Sequence, residues 1–214
     1  TLIYTSENIS AKLENVWFKC YKEISNVNFA VSNIETVSGL SEEEKDKLKA
    51  EALFFRAFNY FYLVRNFGGV PLITEAYDGL DNIYVPRATV KEIYTLIEED
   101  LLFATKVGLP NKAFTKSGFR ITQGAVDMLL ADVYLNMSGY PLLEDHYEDA
   151  AKYSRKIIKD AQHSLLSHDN FEEASAYNKI RKLDNTDEYI YTFEYNNETF
   201  SNGDRGKYAI PSVS

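Results

Sequence analysis

Three features of this sequence predict a mainly α-helical chain built of tetratricopeptide-like (TPR-like) hairpins, with a short extended segment near the C-terminus. Apolar residues recur at helical spacing through the first three quarters of the 214 residues. Two capping boxes, Ser41-x-x-Glu44 and Thr89-x-x-Glu92, mark helix starts. Alanines recur at helical spacing opposite aromatics, the pairing by which TPR-type hairpins let backbones approach and fill the remaining gap.

Taken in order, the first helix is expected over about residues 11–37, with Leu13, Trp17, Tyr21, Ile24 and Val31 on one stripe. The second, about 41–67, opens at the Ser41 cap and gains support from the i,i+4 pair Glu43 and Lys47. It runs into the most informative part of the chain, Glu51 to Leu72. Seven of the seventeen residues from Glu51 to Phe67 are Phe or Tyr, so this helix must be buried between neighbours. Arg56, Asn59, Arg65 and Asn66 interrupt it too often for a membrane span, which needs about 20 largely apolar residues. Gly68 and Gly69 stop the helix, and Pro71 forces an extended exit.

Residues 68–88 read as a long loop broken by Pro71, Gly79 and Pro86. A third helix follows from the Thr89 cap over about 89–107 and halts at Gly108-Leu109-Pro110. Thr122 starts a fourth, about 122–138, ended by Gly139 and Pro141; a fifth spans about 145–161. Ala57 and Tyr60 are expected opposite Tyr94, Leu101 and Ala104, and Ala131 with Tyr134 opposite Tyr147, Ala150 and Tyr153. Over about 188–196, Tyr189, Tyr191, Phe193 and Tyr195 alternate with Ile190, Thr192, Glu194 and Asn196, a period of two that predicts a strand. The rest, to Ser214, is polar, and the whole 1–214 is expected to be a single helical region of a longer protein.

Composition removes several function classes. A net charge of −9 and a pI near 4.9 give phosphate backbones no attraction, so no nucleic-acid partner is expected. The lone Cys20 excludes an intrachain disulfide framework and a multi-cysteine zinc site, and within Trp17-Phe18-Lys19-Cys20-Tyr21 it reads as a small buried hydrophobe. His146, His163 and His168 lack metal-ligand spacing. Glu98, Glu99 and Asp100 are consecutive on a helix, point in different directions and cannot act as a carboxylate pair; Glu98 and Glu99 read as a solvated face. Gly203-Asp204-Arg205-Gly206-Lys207 lacks phosphate-loop spacing. No catalytic residue, metal or cofactor is expected.

Several separated stretches resemble the N-terminal half of the SusD/RagB family of nutrient-binding outer-membrane lipoproteins. They begin with Trp17-x3-Tyr21-x2-Ile24-x3-Asn28 and with Lys49-Ala50-Glu51-Ala52-Leu53-Phe54-Phe55-Arg56-Ala57 continuing through Tyr60-Phe61 to Phe67-Gly68-Gly69-Val70-Pro71-Leu72. Pro86-Arg87-Ala88-Thr89, Ile93-Tyr94-x2-Ile97-x2-Asp100-Leu101, Leu109-Pro110, Gly124-Ala125, Ala131-x2-Tyr134, Tyr147-x2-Ala150-x2-Tyr153 and Glu188-Tyr189-Ile190-Tyr191 follow in the family's order. The resemblance covers about residues 11–196 and implies a SusD-like α-α superhelix. It also implies non-catalytic capture of an oligosaccharide or polysaccharide nutrient, or in RagB-like members a peptide. The ligand would pass to a SusC-like TonB-dependent outer-membrane transporter, at the cell surface. The membrane link would be a lipid anchor absent from this chain, since Cys20 lies inside a helix pattern.

Glycan capture in such proteins uses loop aromatics that stack on the apolar faces of sugar rings, with amides and carboxylates on the hydroxyls. The candidates are therefore Tyr77 and Tyr84 in the long loop, Tyr4 before the first helix, and Asp78 as a hydrogen-bonding group. Asp81 and Asn82 read as turn caps. Trp17, at i,i+4 spacing with Leu13 and Tyr21, reads as core rather than as a stacking surface. The alternative function is a TPR-type scaffold whose ligand is another protein, which leaves the loop tyrosines without ligand contact.

Overall fold

The computed structural model describes residues 6–76, 84–111, 114–115, 118–160, 162–167, 175–182 and 186–191. Five long helices dominate: α1 Ser6–Asn33, α2 Glu42–Phe67, α3 Val90–Ala104, α4 Gln123–Met137 and α5 Tyr147–Asp160. A two-stranded antiparallel ribbon, β1 Phe114–Thr115 with β2 Gly118–Phe119, and a short helix, α6 Ala176–Lys182, complete the described elements. Each long helix packs on the next in chain order, α1 on α2 through to α4 on α5, which is the stacking of a TPR-like superhelix.

Local chemistry sets the helix ends. Ser41 accepts from the Glu44 amide while Glu44 accepts back from the Ser41 amide, and Thr89 with Glu92 repeats this arrangement at α3. Thr122 caps α4 by accepting from the Ala125 amide. The α-helical part of α1 stops at Asn33, short of the expected 37, and a 3-10 turn, Ile34–Thr36, follows. Side chains compete with the helix there: Asn33 Nδ2 donates to the Phe29 carbonyl at 2.8 Å and Thr36 Oγ1 to the Asn33 carbonyl at 2.7 Å.

The aromatic helix α2 is central, as its composition requires. Ala50, Phe54, Ala57, Tyr60, Phe61 and Leu63 are buried between α1 and α3. Phe61 meets Tyr94 edge-on at 6.2 Å, and Tyr134 stacks on Tyr153 at 5.8 Å in the second hairpin. Tyr147 departs from the expected pairing: its ring is exposed and its hydroxyl reaches only the Ser138 carbonyl, at 3.5 Å. Of the strand expected over 188–196, the described part, 188–191, is not a strand. Residues 186–191 form a turn and a bend, and 192–196 lie outside the described residues. No neighbouring strand is present among the described residues to pair with them. Tyr191 instead packs on Phe54 at 5.7 Å, and the Tyr189 hydroxyl donates to the Ile180 carbonyl.

One buried polar cluster ties three helices to the chain that leaves α2. Arg56 donates through Nε and Nη2 to the two Asp100 carboxylate oxygens, at 2.8 and 2.7 Å. Its Nη1 donates to Asn28 Oδ1 at 2.9 Å and to the Thr74 carbonyl at 3.1 Å. Asn28 Nδ2 then donates to the Ile73 carbonyl at 2.9 Å. Tyr60 exchanges both bonds with Ile73, donating to its carbonyl and accepting from its amide. Asn28, Arg56 and Asp100 are all buried.

Replacing Asp100 with Asn, or Arg56 with Ala, leaves an uncompensated buried group. Either change is expected to lower the unfolding free energy by about 3–5 kcal/mol, read as a shift of the urea midpoint.

A second constraint lies at Gly69. A Cβ there would stand 2.4 Å from the Ala88 carbonyl oxygen, at the point where the two ends of the long loop meet. Gly69→Ala is expected to cost roughly 1–3 kcal/mol by forcing these two strands of backbone apart, measured by the same denaturation.

Candidate functional site

The long loop is clipped at its base. The Ala88 amide donates to the Val70 carbonyl at 2.9 Å, and Pro71 and Arg87 face each other as an antiparallel bridge. Arg87 Nη1 reaches further back, donating to the Phe67 and Gly69 carbonyls at 3.2 and 2.8 Å. The Phe67 carbonyl is one of the last of α2, which have no partner within the helix. On the other side, the Tyr21 hydroxyl of α1 donates to the Pro71 carbonyl at 2.7 Å.

Two open depressions lie along this junction. One, of about 310 Å³, is lined by Trp17, Tyr21, Ile24, Pro71, Ile73 and Val85. The other, of about 500 Å³, is lined by Ser10, Leu13, Glu14, Trp17, Phe67 and Arg87. Trp17 belongs to both. Its ring lies 5.0 Å from Tyr21, meets Phe67 edge-on at 5.0 Å, and has the Arg87 guanidinium 5.9 Å from its centroid. The indole is only half-buried. The i,i+4 stripe that placed Trp17 in the core is present, but the stripe lies at the edge of the core, where one side packs and the other is open.

Of the residues singled out from the sequence, Tyr84 stands at the exit of the loop with 93% of its surface exposed, immediately before Val85 of the first depression. No packing demand accounts for a ring so exposed. Tyr4, Tyr77 and Asp78 lie outside the described residues. Ile73, which lines the same depression, precedes Tyr77 by four residues.

The acidic run on α3 has other work. Asp100 is committed to Arg56 and the half-buried Glu98 accepts the Tyr134 hydroxyl at 2.6 Å, while Glu99 is exposed as expected. Burial first, and then that bond to Glu98, drive the Tyr134 phenol far above its ordinary value, so it stays protonated as a donor. Among the described residues no group of His, Cys, Asp and Glu is arranged to hold a metal ion. No helix among them is long and apolar enough to cross a membrane.

A family model described as SusD-like, starch-binding and associating with the outer membrane matches residues 1–135. A SusD-like protein of Bacteroides ovatus is 28% identical over 175 residues, covering 79% of this chain and 31% of that protein. The crystal structure of a SusD superfamily protein from Parabacteroides distasonis superimposes with a TM-score of 0.67 at 40% identity, over 72% of this chain and 33% of that one. A structure solved with a xylogluco-oligosaccharide gives a TM-score of 0.64 at 29% identity, over 73% of this chain and 31% of that one. The chain spans about a third of the length of the curated relatives it matches.

In the core, on α1, Cys20 is 8% exposed, and burial followed by the nearby Glu23 carboxylate raises its thiol above the ordinary range. The native chain is therefore expected to react with a thiol reagent at about pH 8 at least tenfold more slowly than the urea-unfolded chain. Equal rates in the two states would contradict this burial.

Proposed function

Because this chain belongs to the SusD-like family, we propose that it binds an oligosaccharide or polysaccharide nutrient without catalysis, as part of a longer cell-surface protein. The observation that carries this reading is the family match over residues 1–135, on a helical scaffold that superimposes on a relative solved with a xylogluco-oligosaccharide. In the same reading the captured glycan passes to a SusC-like TonB-dependent transporter in the outer membrane, and a lipid anchor outside this chain holds the protein there. The family description, starch-binding and associating with the outer membrane, supports both the ligand class and the location.

The ligand is assigned to the side of the molecule where the 77–83 segment joins the clipped loop base. Tyr84 supplies a stacking surface, since a sugar ring presents C–H faces that pack on an aromatic ring while its hydroxyls stay at the rim. Tyr77 and Tyr4 are assigned as further stacking rings, and Asp78 as an acceptor for sugar hydroxyls. The buried Arg56 cluster supports this placement, because it holds the Ile73 and Thr74 carbonyls, just before the segment departs.

Gel retardation in a panel of polysaccharides, with a peptide panel in parallel, tests the reading. The wild-type chain is expected to be retarded by at least one glycan, and Tyr84→Ala and Tyr77→Ala each to weaken that retardation about 5- to 30-fold, the worth of one lost stacking contact of about 1–2 kcal/mol. Migration unaffected by every polysaccharide, with capture of a protein or peptide instead, would favour the TPR-type scaffold or a RagB-like peptide binder. Retardation that survives both substitutions would move the site away from the loop while leaving the function in place.

A further inference from the structure

We propose that the two depressions meeting at Trp17 act as one trough along α1 that takes a neutral oligosaccharide, with the indole as its central stacking surface. This rests on the glycan-binding reading and adds a contact station separate from the 77–84 loop.

The trough follows a single face of one helix. Ser10, Glu14, Trp17, Tyr21 and Ser25 recur at spacings of three and four, and all five line one depression or the other. From Ser10 to Ser25 the helix rises about 22 Å, at about 1.5 Å per residue, long enough for several sugar rings laid end to end. The opposite wall is the clipped loop base, with Phe67, Pro71, Val85 and Arg87.

The lining fits an amphipathic ligand. Its aromatic lining, from Trp17, Tyr21 and Phe67, suits the C–H faces of pyranose rings. Its edges carry the Glu14 carboxylate, the Arg87 guanidinium and the Ser10 and Ser25 hydroxyls, which suit sugar hydroxyls. A purely apolar occupant would offer no partner to the Glu14 carboxylate or the serine hydroxyls and forfeit the hydrogen bonds they make with water.

Charge selects the neutral class. Within the trough Glu14 and Arg87 oppose each other, and the whole chain carries −9, so an anionic glycan meets no net attraction. The surface is also preset. Phe67 and Tyr21 fix the indole from two sides, the Phe67 and Gly69 carbonyls hold Arg87, and the Pro71 carbonyl holds Tyr21. Little ordering is then required when a ligand arrives.

Trp17 is the sole tryptophan of the chain, so its emission reports on this surface without any substitution. The 214-residue chain is titrated with maltoheptaose, a xylogluco-oligosaccharide and an oligogalacturonide, with calorimetry alongside. A neutral probe is expected to give a saturable emission change and at least twofold lower acrylamide quenching, with the same midpoint as the heat. The oligogalacturonide is expected to give neither. Glu14→Ala, at an exposed position, is expected to weaken the neutral probe about 3- to 30-fold with an unchanged urea midpoint. Heat of binding with constant Trp17 emission and quenching overturns the trough while leaving the glycan function standing. A tighter oligogalacturonide than either neutral probe overturns the neutral assignment. Absence of binding to both neutral probes overturns the proposal, whereas the glycan function is decided separately by the polysaccharide panel.

Discussion

Much of this structure hangs on the Arg56 guanidinium. It lies in an aromatic helix between α1 and α3, where a charge without partners would be very costly. Its donors are met by Asp100 from α3, Asn28 from α1 and the Thr74 carbonyl from the departing chain. Directional bonds of this kind constrain more than the surrounding apolar contacts do. Phe54, Phe61 and Leu101 could slide by a fraction of a turn and still bury their surface, whereas the bidentate pair tolerates only a narrow range of distance and angle. The cluster thereby holds three helices and the root of the loop in one arrangement.

The consequences reach the surface in short steps. Asn28 and Tyr60 both hold the backbone at Ile73, and Tyr21 holds it at Pro71. The far end of the loop is brought back by the Val70–Ala88 bond, which requires the bare backbone of Gly69. Arg87 joins the two ends again through the Phe67 and Gly69 carbonyls. Tyr84 therefore projects from a base fixed on both sides, and Trp17 lies against that same base. This is how a core helix and the proposed binding surface in a SusD-like chain come to share a single support.

Some of this was legible in the residues alone and some was not. The capping boxes were legible because each is a local contract between two residues three apart. The burial of α2 was legible because no solvated helix carries so many rings. Arg56, by contrast, read only as an interruption of an apolar run, and Asp100 as the end of an acidic one. Forty-four residues separate them, and nothing local signals that they meet. Trp17 read as core because helical spacing reports which face a residue is on and not how far its neighbours extend. The alternation over 188–196 reads as a strand, yet alternation becomes a strand only when a second strand lies alongside, and none does among the described residues at 188–191.

The sequence by itself determined the five long helices, the caps at Ser41, Thr89 and Thr122, the glycine-proline exit from α2 and the family to which the chain belongs, because each is written in residues close together or in a spaced signature. Only the tertiary structure decided that Asn28, Arg56 and Asp100 form one buried cluster, that the loop ends meet over Gly69, and that Trp17 is open on one side. Each of these depends on segments far apart in the chain arriving at one place, and hydrogen-bond partners and solvent exposure exist only once they have.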